Sequence, residues 1–213
     1  KESWYSAVKA AYFNFCIEER GCADIKVSSK NNRHKKTSKL LEILVIPATV
    51  TEFGTGVFTS CNSLHTIYID ENNPTFFMYN RVMYKRNPLS LFFVPRAISG
   101  SIELYNGITT IPSSAFQYRN VTEVIIPESV IEIKDAAFNS CSYLTSVTIG
   151  DNVTSIGRDA FSNCSSLQEI EIPFSVKIID QLAFSSCNNL TEVTLNNGLE
   201  TIGSYAFSYC SSL

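Results

Sequence analysis

The chain has 213 residues, of which 45% are hydrophobic and 17% are charged; this composition allows a substantial buried core and argues against extensive disorder. The formal net charge of −3 argues against a domain that binds nucleic acid through general positive charge. No apolar run approaches the roughly 20 residues that a transmembrane helix requires, so the sequence predicts no membrane-spanning segment.

Residues 1–40 do not follow the pattern of the rest of the chain. Apolar side chains at helical spacing predict a helix over residues 3–20, with Trp4, Val8, Ala11, Tyr12 and Phe15 on one side. A repeat protein needs a cap over the open end of its core. This helix therefore has two interpretations, a cap or the end of an upstream domain.

Residues 26–39 are rich in Lys and Arg, with Ser, Asn and Thr between them. Such a segment is either a solvated loop or a contact for an anionic glycan or membrane surface. Aromatic residues do not alternate with the basic ones, which argues against stacking on single-stranded nucleic acid. Cys16 and Cys22 could pair with each other, and the sequence does not decide whether they do.

Residues 41–213 are organised as repeats about 23 residues long, beginning at Leu41, Val121, Leu144, Leu167 and Leu190. Each repeat opens with an L-x-x-V-x-I strand, which a Pro, Gly or Asn often ends. A second short apolar pair and an Ala-Phe-x-x-Cys element follow. Stacked copies would bury their apolar faces against one another. The sequence predicts a β-rich solenoid of repeats about 23 residues long. The amino-terminal helical segment gives the fold a minor α+β character. The internal column of rings in the solenoid would contain Phe58, Phe116, Phe138, Phe161, Phe184 and Phe207.

The stretch VTSIGRDAFSNCSSL at residues 153–167 and its neighbouring copies resemble the BspA-like leucine-rich repeat family. The resemblance extends to an irregular unit at residues 64–98, with an N-N-P turn at 72–74 and two short strands near 82–84 and 91–95. Arg81 stands where this variant often has Gly. The resemblance implies a leucine-rich repeat fold in a surface or secreted protein that adheres to host matrix or to other cells. Because Leu213 begins a new repeat, we expect the chain to be part of a longer one.

The sequence offers little support for catalysis or metal binding. Five cysteines share one repeat position, and we expect them to be buried free thiols: Cys61, Cys141, Cys164, Cys187 and Cys210. The chain has no C-x-x-C pair for zinc and none of the common catalytic motifs. The acidic stretch at 70–73 is interpreted as a turn, since it lacks the pattern of a calcium loop. We therefore predict no enzyme activity, no cofactor and no metal site.

Function is expected in the outward positions of the first strand, which would line the concave side of a curved solenoid. The predicted ligand-binding residues are Ile43, Val45, Tyr68, Leu91, Phe93, Glu123, Ile125, Glu169, Glu171 and Glu192. The first half of this row is apolar and the second half is acidic. One hypothesis is a protein partner on the apolar half with basic groups on the acidic half; the alternative is that the insertion at 72–88 or another domain covers the apolar part.

These observations favour a non-enzymatic protein-binding or adhesion scaffold within a larger cell-surface or secreted protein. The expected partner is a protein such as a host-matrix or cell-surface ligand, and no nucleic acid partner is expected. The alternative is a cytoplasmic interaction scaffold attached to a separate regulatory or catalytic domain.

Overall fold

The computed structural model describes residues 42–213. The predicted helix at 3–20, the basic stretch at 26–39 and the Cys16–Cys22 question lie outside the described residues. Within residues 42–213 the chain forms strands and turns and contains no helix. None of the described chain could therefore cross a bilayer as a helix.

Each repeat forms one rung of a β-solenoid that has seven rungs in the described part of the chain. The L-x-x-V-x-I segments form the first strand of each rung because their alternate apolar residues suit a strand with one buried side. These first strands are β1 (Ile43–Ile46), β2 (Thr66–Ile69), β6 (Ser99–Glu103), β8 (Asn120–Ile125), β10 (Ser146–Thr148), β12 (Glu169–Glu171) and β14 (Glu192–Thr194). They pair in parallel as β1-β2, β6-β8-β10 and β12-β14.

A second short strand follows in each of the last five rungs. These strands are β7 (Thr110–Ile111), β9 (Glu132–Ile133), β11 (Ser155–Ile156), β13 (Ile178–Ile179) and β15 (Thr201–Ile202). They form one continuous parallel sheet in chain order. Each rung therefore repeats the hydrogen-bonding pattern of its neighbour, which explains why the 23-residue period is so regular.

The Ala-Phe-x-x-Cys element, or the matching segment at 57–61 or 115–119, forms the third side of every described rung except the second; we call this loop the ladder loop. In the fourth rung, the N–H groups of Ala136, Phe138 and Ser140 donate to carbonyl oxygens of the next rung at 2.7–2.8 Å. Ala136 and Ser140 adopt positive φ angles of 55° and 58°, an uncommon conformation for residues other than Gly. Stacking thus satisfies the backbone of a loop that a single rung could not satisfy.

The rings of the ladder loops form the predicted internal column over five rungs. Neighbouring ring centroids lie 5.0–5.3 Å apart along Phe116, Phe138, Phe161, Phe184 and Phe207. Phe58 was expected in this column, and that expectation is wrong. The centroid of its ring instead lies 4.3 Å from that of Phe93. The second rung has no ladder loop, so no ring connects Phe58 with Phe116.

An antiparallel sheet interrupts the solenoid after the second rung. Its strands are β3 (Phe76–Tyr79), β4 (Val82–Lys85) and β5 (Ser90–Phe93), with β4 in the centre. Val82 and Tyr84 of β4 pack into the large core of the later rungs, while Met83 packs into a smaller core under β1 and β2. The sheet therefore lies between two cores and is buried on both sides along its central strand.

The turn between β3 and β4 covers the free edge of β6. Asn80 and Arg81 have φ angles of 47° and 67°, which suits a two-residue hairpin turn. The Arg81 guanidinium donates to the carbonyl oxygens of Ser99 and Ser101, both at 2.8 Å, and the Asn80 amide donates to Glu103 at 3.1 Å. Arg at the position where Gly is common thus satisfies carbonyls that an edge strand would otherwise expose.

Asn73 anchors the turn that leads into the antiparallel sheet. Its buried side-chain amide donates to the carbonyl oxygens of Pro47 and Val50, both at 2.9 Å. Its Oδ1 accepts from the backbone N–H groups of Thr75 and Phe76. This side chain therefore connects the first rung to the irregular unit.

Candidate binding face

The outward side chains of the first strands form one exposed surface, which we call the first-strand face. In β8, β10 and β12 every buried residue is flanked by exposed ones. Pairing in register places Glu123 beside Ser146 and Ile125 beside Thr148. Neighbouring rungs thus present their outward side chains about 5 Å apart.

Most of the predicted binding residues lie on this face. Ile43, Tyr68, Glu123, Ile125, Glu169, Glu171 and Glu192 are exposed, and Val45 is half-buried. The structure therefore gives these side chains the orientation that binding would need. Whether they contact a ligand remains a prediction.

Leu91 and Phe93 do not belong to this face, so their predicted orientation is wrong. Leu91 is only 7% exposed and packs in the core, whereas its neighbour Phe92 is 38% exposed. Phe93 is half-buried against Phe58. Both belong to β5 of the antiparallel sheet, and a shift of one residue in strand phase reverses which side chains face inward.

The face is also divided where continuity was expected. β2 pairs only with β1, and β6 begins a new sheet with β8. The antiparallel sheet lies between these two parts of the chain. The apolar group of Ile43, Val45 and Tyr68 is thus separate from the acidic group.

The acidic part of the face has no internal charge compensation. Glu169 lies beside Glu192 in the paired strands β12 and β14, and Glu171 lies on the same side of β12. Among residues 42–213, none of the ion pairs involves these three carboxylates; the pairs are Lys134–Glu132, Arg158–Asp159 and Lys177–Glu200. The same residues contain no cluster of His, Cys, Asp or Glu suited to a metal ion. These three carboxylates therefore leave this part of the face negatively charged.

The repeated cysteines support the ladder loops. Four are free thiols, and each donates through Sγ to the Phe carbonyl oxygen of the preceding rung at 3.0–3.3 Å: Cys141, Cys164, Cys187 and Cys210. Burial raises the pKa of the Cys141 and Cys187 thiols to about 12. A thiol held in its neutral form is a poor nucleophile, so these cysteines have a structural role.

Cys61 differs from the other four, and its assignment as a free thiol is wrong. It is buried and disulfide-bonded. It lies in the first described rung, so no ladder loop among the described residues precedes it. Equal repeat position therefore did not mean equal bonding.

Arg119 occupies the cysteine position in the shortened third rung. Its guanidinium donates to the carbonyl oxygen of Val94 at 3.0 and 3.3 Å and to that of Gln117 at 2.7 Å. Burial, followed by repulsion from Arg96, lowers the pKa of Arg119 to about 10. Arg119 thus satisfies the carbonyl of the preceding unit as the cysteines do elsewhere, but leaves a positive charge at this point.

A family model for the BspA-type leucine-rich repeat region matches residues 21–99 and 109–213, with six copies. The chain belongs to this family. Membership agrees with the ladder loops, which carry the Ala-Phe-x-x-Cys element of the repeats. No curated protein matches the chain significantly.

Solved bacterial structures share the fold of this BspA-type chain. A leucine-rich cell surface protein from Faecalibacterium prausnitzii is 28% identical with a TM-score of 0.70, and the match covers 82% of this chain and 47% of that one. A leucine-rich repeat protein from Eubacterium ventriosum is 24% identical with a TM-score of 0.61, covering 81% and 53%. The pneumococcal vaccine antigen PcpA is 21% identical with a TM-score of 0.65, covering 81% and 44%. The chain spans about half the length of these proteins.

Sequence reasoning missed two features of the BspA-type domain that bear on recognition. One is the exposed ring of Phe92, and the other is the paired positive charge of Arg96 and Arg119. The sequence does indicate that Arg119 is unusual, because it stands at the repeat position that Cys occupies in the other repeats. The sequence does not indicate that Phe92 is exposed, since the packing of the irregular unit decides which side chains of β5 face outward.

Proposed function

We propose that this BspA-type domain is a non-enzymatic protein-binding scaffold and that its first-strand face contacts a protein ligand. The observation that carries the proposal is the group of exposed carboxylates of Glu169, Glu171 and Glu192, which lack ion-pair partners among residues 42–213. The described part holds sixteen of the 20 acidic residues and eight of the 17 basic ones. A ligand with a basic surface would be attracted to this side of the solenoid.

The apolar group of Ile43, Val45 and Tyr68 would add contact area at the other end of the face. Exposed apolar side chains that lie together can mark an interaction site. We propose that this group contacts the same ligand as the acidic group, through the same part of the ligand or a second part. Because the antiparallel sheet separates the two groups, the ligand would need to bridge it.

Photo-cross-linking tests the location of the contact. A photoreactive amino acid replaces Thr148 on the first-strand face, or Ser113 on a ladder loop as the matched control. Cross-linking to surface proteins of cells from the native environment should occur from position 148 and identify a ligand. Equal cross-linking from position 113 would refute the assignment to this face.

Charge reversal then tests the acidic group with the purified ligand. The triple variant Glu169→Lys, Glu171→Lys and Glu192→Lys should weaken binding by about tenfold or more, mainly through slower association at low salt. The matched control reverses Glu52, Glu71 and Asp151, which are exposed and lie outside the strands. Equal affinity of the two triple variants would contradict the role of the face.

We further propose that the domain works at the cell surface, adhering to host matrix or to other cells. The support is its 28% identity to a protein described as a leucine-rich cell surface protein. Protease treatment of intact cells that express the full chain should cleave the domain. Complete protection would instead favour the intracellular scaffold.

A further inference from the structure

The ladder loops have a gap after the first rung. By position, Gly56, Phe58 and Ser60 correspond to Ala136, Phe138 and Ser140, whose N–H groups bind carbonyl oxygens of the next rung. The φ angles of Gly56 and Ser60 are 71° and 61°, so the backbone has the same conformation. Within the described part of the chain, however, none of these three N–H groups donates a hydrogen bond.

The gap arises because the second rung has no ladder loop. After β2 the chain enters the antiparallel sheet and returns only through a short turn, in which Ile98 N–H donates to Pro95 O at 3.2 Å. The donors of the first rung therefore face the side where the missing loop would lie. Elsewhere in this protein, equivalent donors bind alternate carbonyl oxygens of a neighbouring polypeptide segment.

An open cavity of about 550 Å³ occupies this gap. Residues 53–60 line one side, and Phe92, Phe93, Arg96 and Arg119 line the rest. The aromatic wall is continuous, with ring centroids of Phe53 and Phe58 separated by 5.3 Å and those of Phe53 and Phe92 by 5.7 Å. Apolar side chains could thus be buried against these rings.

The charge of the cavity is opposite to that of the surrounding domain. None of its lining residues is acidic, although the described part of the chain is predominantly acidic. Arg96 is exposed and forms no ion pair or hydrogen bond with the described residues, while Arg119 is held close enough to repel it. A carboxylate near both guanidinium groups would relieve that repulsion.

We propose that this gap binds a short segment of a partner protein that carries an acidic side chain beside a bulky apolar one. Backbone carbonyls of the segment accept from Gly56, Phe58 and Ser60, the apolar side chain packs on Phe53 and Phe92, and the carboxylate binds Arg96. The site lies away from the first-strand face, so it does not depend on that face being used.

A defined peptide tests the proposal. The probe is fluorescein-labelled acetyl-Asp-Phe-Glu-Phe-Asp-amide, compared with the same peptide carrying Lys at its acidic positions and with one carrying Ser in place of Phe. The acidic aromatic peptide should bind with a Kd below about 1 mM and at least about fivefold more tightly than either control peptide. The amide signals of Gly56 and Ser60 should shift in the two-dimensional NMR spectrum of the full 213-residue chain.

Two variants with matched controls locate the contact. Arg96→Glu should weaken peptide binding about fivefold, the upper range for one exposed ion pair, and Phe92→Ser should weaken it by a similar factor. Arg158→Glu and Tyr143→Ser change exposed residues elsewhere and should leave the affinity unchanged. Retained amide signals would show that each variant remains folded, and the peptide comparison stands even if Phe92→Ser does not fold.

Several results would overturn the proposal. They are no binding of the acidic aromatic peptide, equal binding of the three peptides, or equal effects of the cavity variants and their controls. Equally tight binding of N-acetyl-phenylalanine alone would show that the gap binds a small aromatic acid and not a peptide segment. Concentration-dependent shifts of the Gly56 signal without peptide would assign the gap to a second copy of the chain.

Discussion

Replacing Phe161 with Ala removes the central ring of the five-ring column. The ring is fully buried, and it stacks on Phe138 at 5.0 Å and on Phe184 at 5.2 Å. Lost burial costs about 2–3 kcal/mol, and each lost ring contact costs about 0.5–1.5 kcal/mol. The expected loss in the free energy of unfolding is about 3–5 kcal/mol, the usual range for a core Phe.

Two matched replacements show whether this cost comes from stacking. Phe207 is half-buried and contacts one ring of the column, so Phe207→Ala should cost about 1–2 kcal/mol. Phe174 is exposed, and its replacement should cost less than about 1 kcal/mol. Urea unfolding followed by circular dichroism measures all three values.

Because rungs interact only with their neighbours, the Phe161 variant should also lose cooperativity. Native-state hydrogen exchange should then show lower protection at Ile133 and Ile179, in the rungs on either side of the missing ring, with less change near the antiparallel sheet. Equal costs at Phe161 and Phe207, or a uniform loss of protection over all rungs, would refute the stacked-column reasoning.

Three further predictions concern the polar groups. The pKa of Cys141 and Cys187 is raised from 9.0 to about 12 by burial, so the unfolded chain loses these protons first and stability falls as pH rises above about 9. Urea unfolding at about pH 10 should show a loss of about 1.4 kcal/mol per thiol relative to about pH 8, and a double Ala variant should lack this part of the pH dependence. Arg81→Ala should cost about 1 kcal/mol more than Arg81→Gly, since only Ala keeps the strain of the positive φ; equal thermal stabilities would argue against this. Asn73→Ala should lower stability by about 2–4 kcal/mol because buried backbone groups lose their partners, and a change below about 1 kcal/mol in chemical denaturation would contradict the anchoring role.

The regular rungs were predictable because a single constraint acts on all of them. Each rung must bury the same side chains against the next, so the pattern recurs at a fixed spacing and appears directly in the sequence. This explains why the ring column from Phe116 to Phe207 and the outward orientation of Glu123 and Glu169 agree with the sequence analysis.

The irregular unit was harder to predict because consecutive apolar residues in its last strand do not show which of them face inward. Near Leu91, Phe92 and Phe93 every residue is apolar, so composition does not indicate which side chain faces outward. Packing on two cores decides the phase, which buries Leu91 and exposes Phe92. The same unit removes a ladder loop, and for this reason Phe58 is absent from the column.

The sequence by itself determined the solenoid, its period and the family, because stacking requires like residues to recur at fixed positions. It also indicated which side chains of the regular first strands face outward. The tertiary structure alone decided how Arg81, Asn73 and Arg119 satisfy distant carbonyl groups, and where the missing ladder loop leaves a positively charged aromatic cavity. These features depend on contacts about 18–26 residues apart along the chain, and such contacts follow from the path of the chain in space, which no local pattern records.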